Sequence, residues 1–293
     1  MLARTRGPAL IITCLALCTA SAPAQAEARL NAHFKISMTG VSIGELTWVI
    51  DLNAGSYTTS ANGKASGPLS VLVNGEGRVA TRGVVDGDRL RPTFFSSNVT
   101  EDGEAAGLQM TFENGNVKTL RLDEPPKKDD RIPVSEADRR GVTDPLTAML
   151  IVAPPGEQNN LVPADCDRVL AIFDGQRRYD LILSFKRIDI VKIDKGYAGP
   201  VLVCGVMLKP VAGYRSDSML VKYVGGQRDM EIWFAPITGT GVIAPARLVM
   251  PTLIGTLGIA ADRFEVTAIK PSTPAISPGL PLPPASVPAD PPR

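Results

Sequence analysis

GLQMTFENGNVKTLRL, residues 107–122, carries the strongest local folding signal in the chain. Two strand-like runs flank Asn114-Gly115, and both of these residues tolerate the positive φ that a tight antiparallel hairpin demands. The same texture recurs outward from this point. Upstream, LNAHFKISM (30–38) sets Leu30, Ala32, Phe34, Ile36 and Met38 on one side of a half-buried strand. ELTWVIDL (45–52), YTTSANGKA (57–65), GEGRVATRG (75–83) and RPTFFSSNVT (91–100) repeat the pattern between glycine-bearing turns. Downstream come RVLAIF (168–173), QRRYDLILSFKRIDI (176–190), GPVLVCGVML (199–208), RDMEIWFAP (228–236), GVIAPARLVM (241–250) and LGIAADRFEVTAI (257–269). Successive strands lie too close together for helical crossovers, so the sheet is expected to be antiparallel. The expected fold is mainly β: a large curved antiparallel sheet or incomplete β-barrel with one or two short helices. Two smaller β domains joined at residues 123–141 are the alternative.

Two stretches break the pattern. DEPPKKDDRIPVSEADRRG (123–141) is charged and interrupted by prolines, and reads as a loop between the halves. In TDPLTAMLIV (143–152), Asp144 can cap a helix, Pro145 suits its first turn, and Leu146, Met149 and Leu150 share a face. A helix of two to three turns, stopped by Pro154-Pro155, is expected to plug the sheet.

The ends of the chain point to export. Arg4 and Arg6 precede the apolar PALIITCLALCTASA, and AQA ends at Ala26, giving a cleavable secretory signal over residues 1–26. Cys14 and Cys18 follow Thr13 and Leu17 rather than a small residue, which argues against a lipid anchor. No later run approaches the ~20 apolar residues of a membrane-spanning helix. Residues 271–293 hold nine prolines and read as a disordered tail. One β-rich domain over residues 27–270 remains, and residues 27–293 together carry 29 bases against 30 acids. That balance, without blocks of like charge, leaves no footprint for nucleic acid.

Export also changes the cysteine arithmetic. Cys166 and Cys204 remain, and in an oxidising compartment an even pair most simply forms one disulfide. Closing such a loop contributes about 3–4 kcal/mol in the chain-entropy model. In a simple three-strand meander the two cysteines would lie about 10 Å apart, beyond disulfide reach. Cys166 is therefore expected in the loop before its strand, folded over the sheet end, unless the strand order is not sequential.

Between the cysteines, CDRVLAIFDGQRRYDLILSF (166–185) gathers Asp174, Arg178, Tyr179 and Asp180, a candidate polar cluster. Tyr179, Leu181, Leu183 and Phe185 alternate with Arg178, Asp180, Ser184 and Lys186, interrupted only by Ile182, so most of the charge suits the wet face of a strand. A two-residue loop sets Leu170 opposite Tyr179, and a three-residue loop sets Ala171 there. The register stays open.

The ordered series ISMTGVSIGELTW (36–48), RRGVTDPLTAML (139–150), IFDGQRRYDLILSF (172–185), GYAGPVLVCGVMLKPVAGY (196–214) and RDMEIWFAP (228–236) resembles the family of unknown function numbered 3108, in its exported, alphaproteobacterial form. The resemblance covers residues 30 to 270. It implies a β-rich periplasmic domain and supplies no catalytic residues. By fold-level analogy, long curved sheets around a helix occur in periplasmic carriers of lipids and lipoproteins.

The chemistry read from the residues themselves is sparse. His33 is the single histidine and falls on the polar face of its strand, and no G-x-S-x-G accompanies it. One histidine and a bridged cysteine pair leave zinc or iron short of ligands. No phosphate-binding glycine motif occurs, so no cofactor is expected. A two-carboxylate glycan hydrolase is the remaining enzymatic reading, weakened because Trp48 and Trp233 sit among apolar strand neighbours. The expectation is a non-enzymatic periplasmic binding or envelope-maintenance protein, with a lipid, an acyl chain or an envelope protein as partner. A structural scaffold is the alternative. LTAMLIV and LVMPTLIGTLGIA would suit either a lipid-lined cavity or an ordinary core.

Overall fold

The computed structural model describes residues 27–66, 75–101, 103–124, 130–153 and 161–269, without the side chains of Glu101 and Leu220. The signal with its cleavage point after Ala26, and the tail from residue 271, lie outside the described residues. The first half runs β1 (Ala28–Met38), β2 (Val41–Asn53), β3 (Ser56–Ala65), β4 (Gly75–Asp86), β5 (Arg89–Glu101), β6 (Glu104–Glu113) and β7 (Asn116–Leu122). Then come α1 (Pro145–Ala148), β8 (Ile151–Val152), β9 (Val169–Phe173), β10 (Arg178–Lys192), β11 (Lys195–Gly196) and β12 (Ala198–Ala212). The chain closes with α2 (Met219–Gly226), β13 (Met230–Ile237), β14 (Val242–Thr252) and β15 (Gly255–Ala268).

All fifteen strands belong to one sheet, ordered β7-β6-β5-β4-β3-β2-β1-β15-β14-β13-β12-β10-β9. Every pair on that path is antiparallel, while short β8 and β11 join β14 and β15 from outside it. The first and last strands pair along their length, Ala28 opposite Ala268 and Met38 opposite Leu257. Both halves of the sequence therefore meet in the middle of one sheet. The Asn114-Gly115 hairpin forms as its sequence demands, with φ of +52° and +75° and Glu113 opposite Asn116.

The sheet curves until its edge strands nearly meet, and residues 142–143 fill the seam. Val142 donates its N–H to Gly115 O at the β6–β7 turn, and Thr143 donates to Ala171 O on β9. Phe173 N–H returns to Thr143 O. Phe173, Phe95, Met110, Phe112 and Val142 make an apolar cluster behind this seam. The main core lies on the concave side, around Phe34, Trp48, Ile50, Tyr57, Val201, Trp233 and Phe264. Both tryptophans are core residues, as their neighbours imply. Gly83 is obligatory here: a Cβ would meet Arg91 O at 2.1 Å and the Tyr57 ring at 2.7 Å.

Several local expectations are corrected. The helix at Asp144 has a single turn, because Ile151 and Val152 leave it to pair with Ile243 and Val242 on β14. β-Branched side chains in a fully buried site favour the strand. The β9–β10 loop has four residues, Asp174–Arg177, so Ile172 rather than Leu170 or Ala171 faces Tyr179. Beyond Phe185 a bulge drops Lys186 from the ladder and inverts the alternation. Ile188 and Ile190 thereby share a face with Leu183 and Phe185 instead of with Ser184 and Lys186, and near this end of the strand they are 47 % and 85 % exposed.

Cys166 and Cys204 form the disulfide, with Cα atoms 5.5 Å apart. The order β9-β10-β12 is sequential, and Cys166 reaches across from a 3-10 turn, Pro163–Cys166, before β9. That is the loop placement the meander geometry required. The bridge sits in a second apolar cluster with Leu183, Leu202, Ile232 and Phe234.

Candidate functional site

The polar residues singled out in the sequence do not converge. Asp174 organises its own turn, accepting the N–H groups of Gln176 and Arg177 on Oδ1 at 2.9 and 2.6 Å. Arg178 and Asp180 pair with each other at 2.6 Å on one face of β10. Tyr179 points to the other face, where burial, with Asp174 and Tyr214 adding to it, pushes its phenol well above the ordinary range. Tyr214 is likewise pushed up to about 12, by burial first and Asp174 second. Both phenols stay neutral, and each carboxylate is committed to a turn or an ion pair.

His33 sits between two acids: Nδ1 is 2.6 Å from Asp262 and Nε2 is 3.7 Å from Glu45. Burial favours the neutral form of Asp262, yet hydrogen bonds from His33 and Lys35 outweigh it and hold the carboxyl below its usual range. Glu45 is claimed by Lys64 at 2.8 Å. This network adjoins a polar cavity of about 560 Å³ lined by Glu45, Lys64, Arg78 and Asn98 among others. Among the described residues no group of three or more His, Cys, Asp or Glu side chains could hold a metal ion.

A buried polar cluster escaped the sequence reading except for its cap. Asp144 Oδ1 accepts the N–H groups of Leu146 and Thr147, both at 3.0 Å, as an N-cap should. Its Oδ2 lies 2.5 Å from Thr147 Oγ1 and 3.1 Å from Thr81 Oγ1. Thr147 Oγ1 in turn meets Tyr57 OH at 2.7 Å. Asp144 is wholly buried, and that desolvation drives its pKa upward against the hydrogen bonds that favour the anion. The cluster ties α1 to β3 and β4, and its hydrogen bonds are made within the fold, so its role is structural.

The feature that asks for an external partner is apolar. Ile36–Gly44, around the β1–β2 turn, carries no charge, nor does Leu248–Ala261, around the β14–β15 turn. The two hairpins lie side by side, joined by Thr39 N–H to Thr256 O at 2.8 Å. Across them run two apolar ladders: Leu248–Ile259–Ile36 and, nearer the tip, Met250–Leu257–Met38. All six side chains are only half-buried. Leu248 packs on the disulfide cluster and Ile259 on the Phe34–Trp48 core, so apolar surface continues from the core to one end of the sheet. At that end Val41 is 51 % exposed, Leu253 52 %, Ile254 81 % and, on adjoining α2, Met219 75 %. The aliphatic run LVMPTLIGTLGIA is thus neither plain core nor closed cavity lining.

Residues 33–262 match the family model described as a protein of unknown function (DUF3108). The chain belongs to the DUF3108 family. No curated protein matches it. Among solved structures, this DUF3108 protein is similar to a β-barrel-like protein of the domain of unknown function DUF1849 from Brucella abortus. Identity is 11 %, coverage 83 % of this chain and 99 % of that one, and the TM-score 0.46. It is also similar to a protein described as a "putative lipoprotein" from Parabacteroides distasonis, at 10 % identity, with 83 % and 97 % coverage and a TM-score of 0.35. No helix among the described residues of the DUF3108 chain is long and apolar enough to cross a membrane.

Proposed function

We propose that this protein is a non-enzymatic, exported component of the bacterial cell envelope that binds a lipid or the acyl chain of a lipoprotein. The observation that carries this reading is the pair of half-open ladders, Leu248–Ile259–Ile36 and Met250–Leu257–Met38, running from the packed core to two uncharged hairpin tips. A methylene chain laid along them would remove apolar surface from water on both partners, at roughly 25 cal/mol per Å². Export is supported by the signal-like sequence of residues 1–26 and by the disulfide. A catalytic reading finds less support, because the carboxylates of Asp174, Asp180, Asp262 and Glu45 are each held by a turn or a cation.

Titration with a fluorescent long-chain fatty acid tests the reading. Saturable one-to-one binding, competed by phospholipid, is expected. Met250→Asp/Leu257→Asp should weaken it at least tenfold, about 1.4 kcal/mol. Non-saturable binding, or equal binding by the double variant, would contradict the proposal.

A further inference from the structure

We infer that the end built from the β1–β2 hairpin, the β14–β15 hairpin and α2 is a membrane-docking surface that enters the acyl layer of a phospholipid bilayer. This deepens the lipid-binding reading and rests on the same end of the sheet, but it concerns a surface rather than a bound chain.

The argument begins with turn chemistry. Tight hairpin turns select Gly, Asn and Asp, which tolerate the required φ and remain hydrated. This sheet follows the rule elsewhere, with Ala54-Gly55, Gly87-Asp88 and Asn114-Gly115 at its two-residue turns. Between Thr252 and Gly255, which pair directly, it instead places Leu253-Ile254. Ile254 is 81 % exposed and Leu253 52 %, so neither side chain is buried in the core. Large aliphatic side chains exposed together on neighbouring elements mark an interaction site.

The neighbouring elements make the same choice. Val41 follows the β1–β2 turn, and Met219 opens α2, which is tied to the tip by Tyr223 OH donating to Thr252 O at 3.3 Å. Exposed apolar groups on three protruding elements offer no pocket for one rigid knob. They suit a fluid medium that needs no shape complementarity. The two hairpin tips carry no charge, while α2 carries Lys222 and follows the Arg215–Asp217 pair, 3.0 Å apart. The acids behind the tips, Glu45 and Asp262, are bridged by Lys64 and Lys35 at 2.8 and 3.4 Å, while Lys222 on α2 and Arg247 on β14 add positive charge. Uncharged hairpin tips whose nearby acids Glu45, Asp262 and Asp217 are each paired to a base are complementary to acyl chains beneath anionic headgroups.

Flotation with vesicles of phosphatidylethanolamine and phosphatidylglycerol, three to one, tests this. The full protein should float with the vesicles, and Leu253→Asp/Ile254→Asp should reduce the bound fraction at least tenfold with an unchanged melting temperature. Ile190→Asp, at an equally exposed site on the opposite end of β10, should bind like the wild type. Absence of flotation by the wild type would overturn the inference, as would unimpaired binding by the Leu253/Ile254 variant or equal loss in Ile190→Asp. A dimer broken by Leu253→Asp, without vesicle binding, would assign the tip to a second copy of the chain and likewise overturn it. Fatty-acid binding retained by a protein that does not float would leave the lipid-binding reading standing alone.

Discussion

Phe173→Ala should lower the unfolding free energy by about 3–5 kcal/mol, the range for deleting a fully buried aromatic side chain. Phe173 has no exposure, ends β9, and packs against Phe95, Met110, Phe112 and Val142 from the opposite edge of the sheet. The Arg139 guanidinium lies 6.0 Å over its ring. Among the described residues this cluster and the hydrogen bonds of Val142 and Thr143 join the two edge strands. The loss should therefore be local as well as large. Amides of Val142, Thr143 and Phe173 should exchange faster than those of the β1–β15 pair. A urea titration reading less than about 1 kcal/mol, with protection at the seam unchanged, would mean that the edges are not held by this contact.

Asp144 should respond oppositely to two substitutions of similar size. Asp144→Ala removes the cap, worth about 1–2 kcal/mol, and leaves buried Thr81 and Thr147 hydroxyls short of a partner, at about 1–3 kcal/mol. A net loss of about 3 kcal/mol is expected. Asp144→Asn should match the wild type within about 1 kcal/mol at pH 7 or exceed it. The reason is a proton count. Thr81 Oγ1 has one hydrogen but faces Phe94 O at 2.8 Å and Asp144 Oδ2 at 3.1 Å. A neutral Asp144 can donate to Thr81, freeing Thr81 to donate to Phe94 O, and asparagine reproduces that donor permanently. Tyr57 on β3, Thr81 on β4, Thr147 on α1 and the more distant Tyr179 on β10 surround the carboxyl, and none brings a positive charge.

The pH dependence follows with a definite sign. Burial raises the folded-state pKa of Asp144 above its unfolded value, so its stabilising contribution is complete below the ordinary aspartate pKa of about 4. It is lost as pH rises from there towards the folded value. Chemical denaturation from pH 4 to 8 should show the wild type losing stability relative to Asp144→Asn. A constant difference across that range would show that the carboxyl titrates normally.

The sheet was legible because its strands are bounded by residues with a steric reason to turn. Asn114-Gly115 could hardly be anything but a tight hairpin, and Asp144-Pro145 announces a helix start. The disulfide followed from compartment and parity, and its loop placement from strand spacing. Registers were harder. The loop after Phe173 gained two residues because Asp174 closes an Asx turn onto Gln176 and Arg177, a choice not visible in apolar alternation. The bulge at Lys186 left no local signal either, and it moved Ile188 and Ile190 onto the face of Leu183 and Phe185. α2 went unplaced because its Ser218 cap precedes only eight residues ending in two glycines.

The candidate site was legible only in composition. LVMPTLIGTLGIA stood out as aliphatic, but core and surface look alike in such a run. What separates them is the pairing of β15 with β1 across more than two hundred residues, which sets two uncharged hairpins side by side. Conversely, Asp174, Arg178, Tyr179 and Asp180 looked like a cluster in sequence, yet strand alternation sends Tyr179 to one face and the Arg178–Asp180 pair to the other.

Native mass spectrometry of the protein exported to a bacterial periplasm, followed by organic extraction, tests the central claim most directly. A mass two hydrogens below the reduced chain plus one stoichiometric, extractable acyl lipid is the predicted result. The same mass without lipid, unchanged after incubation with phospholipid, would contradict lipid binding as the function of this fold.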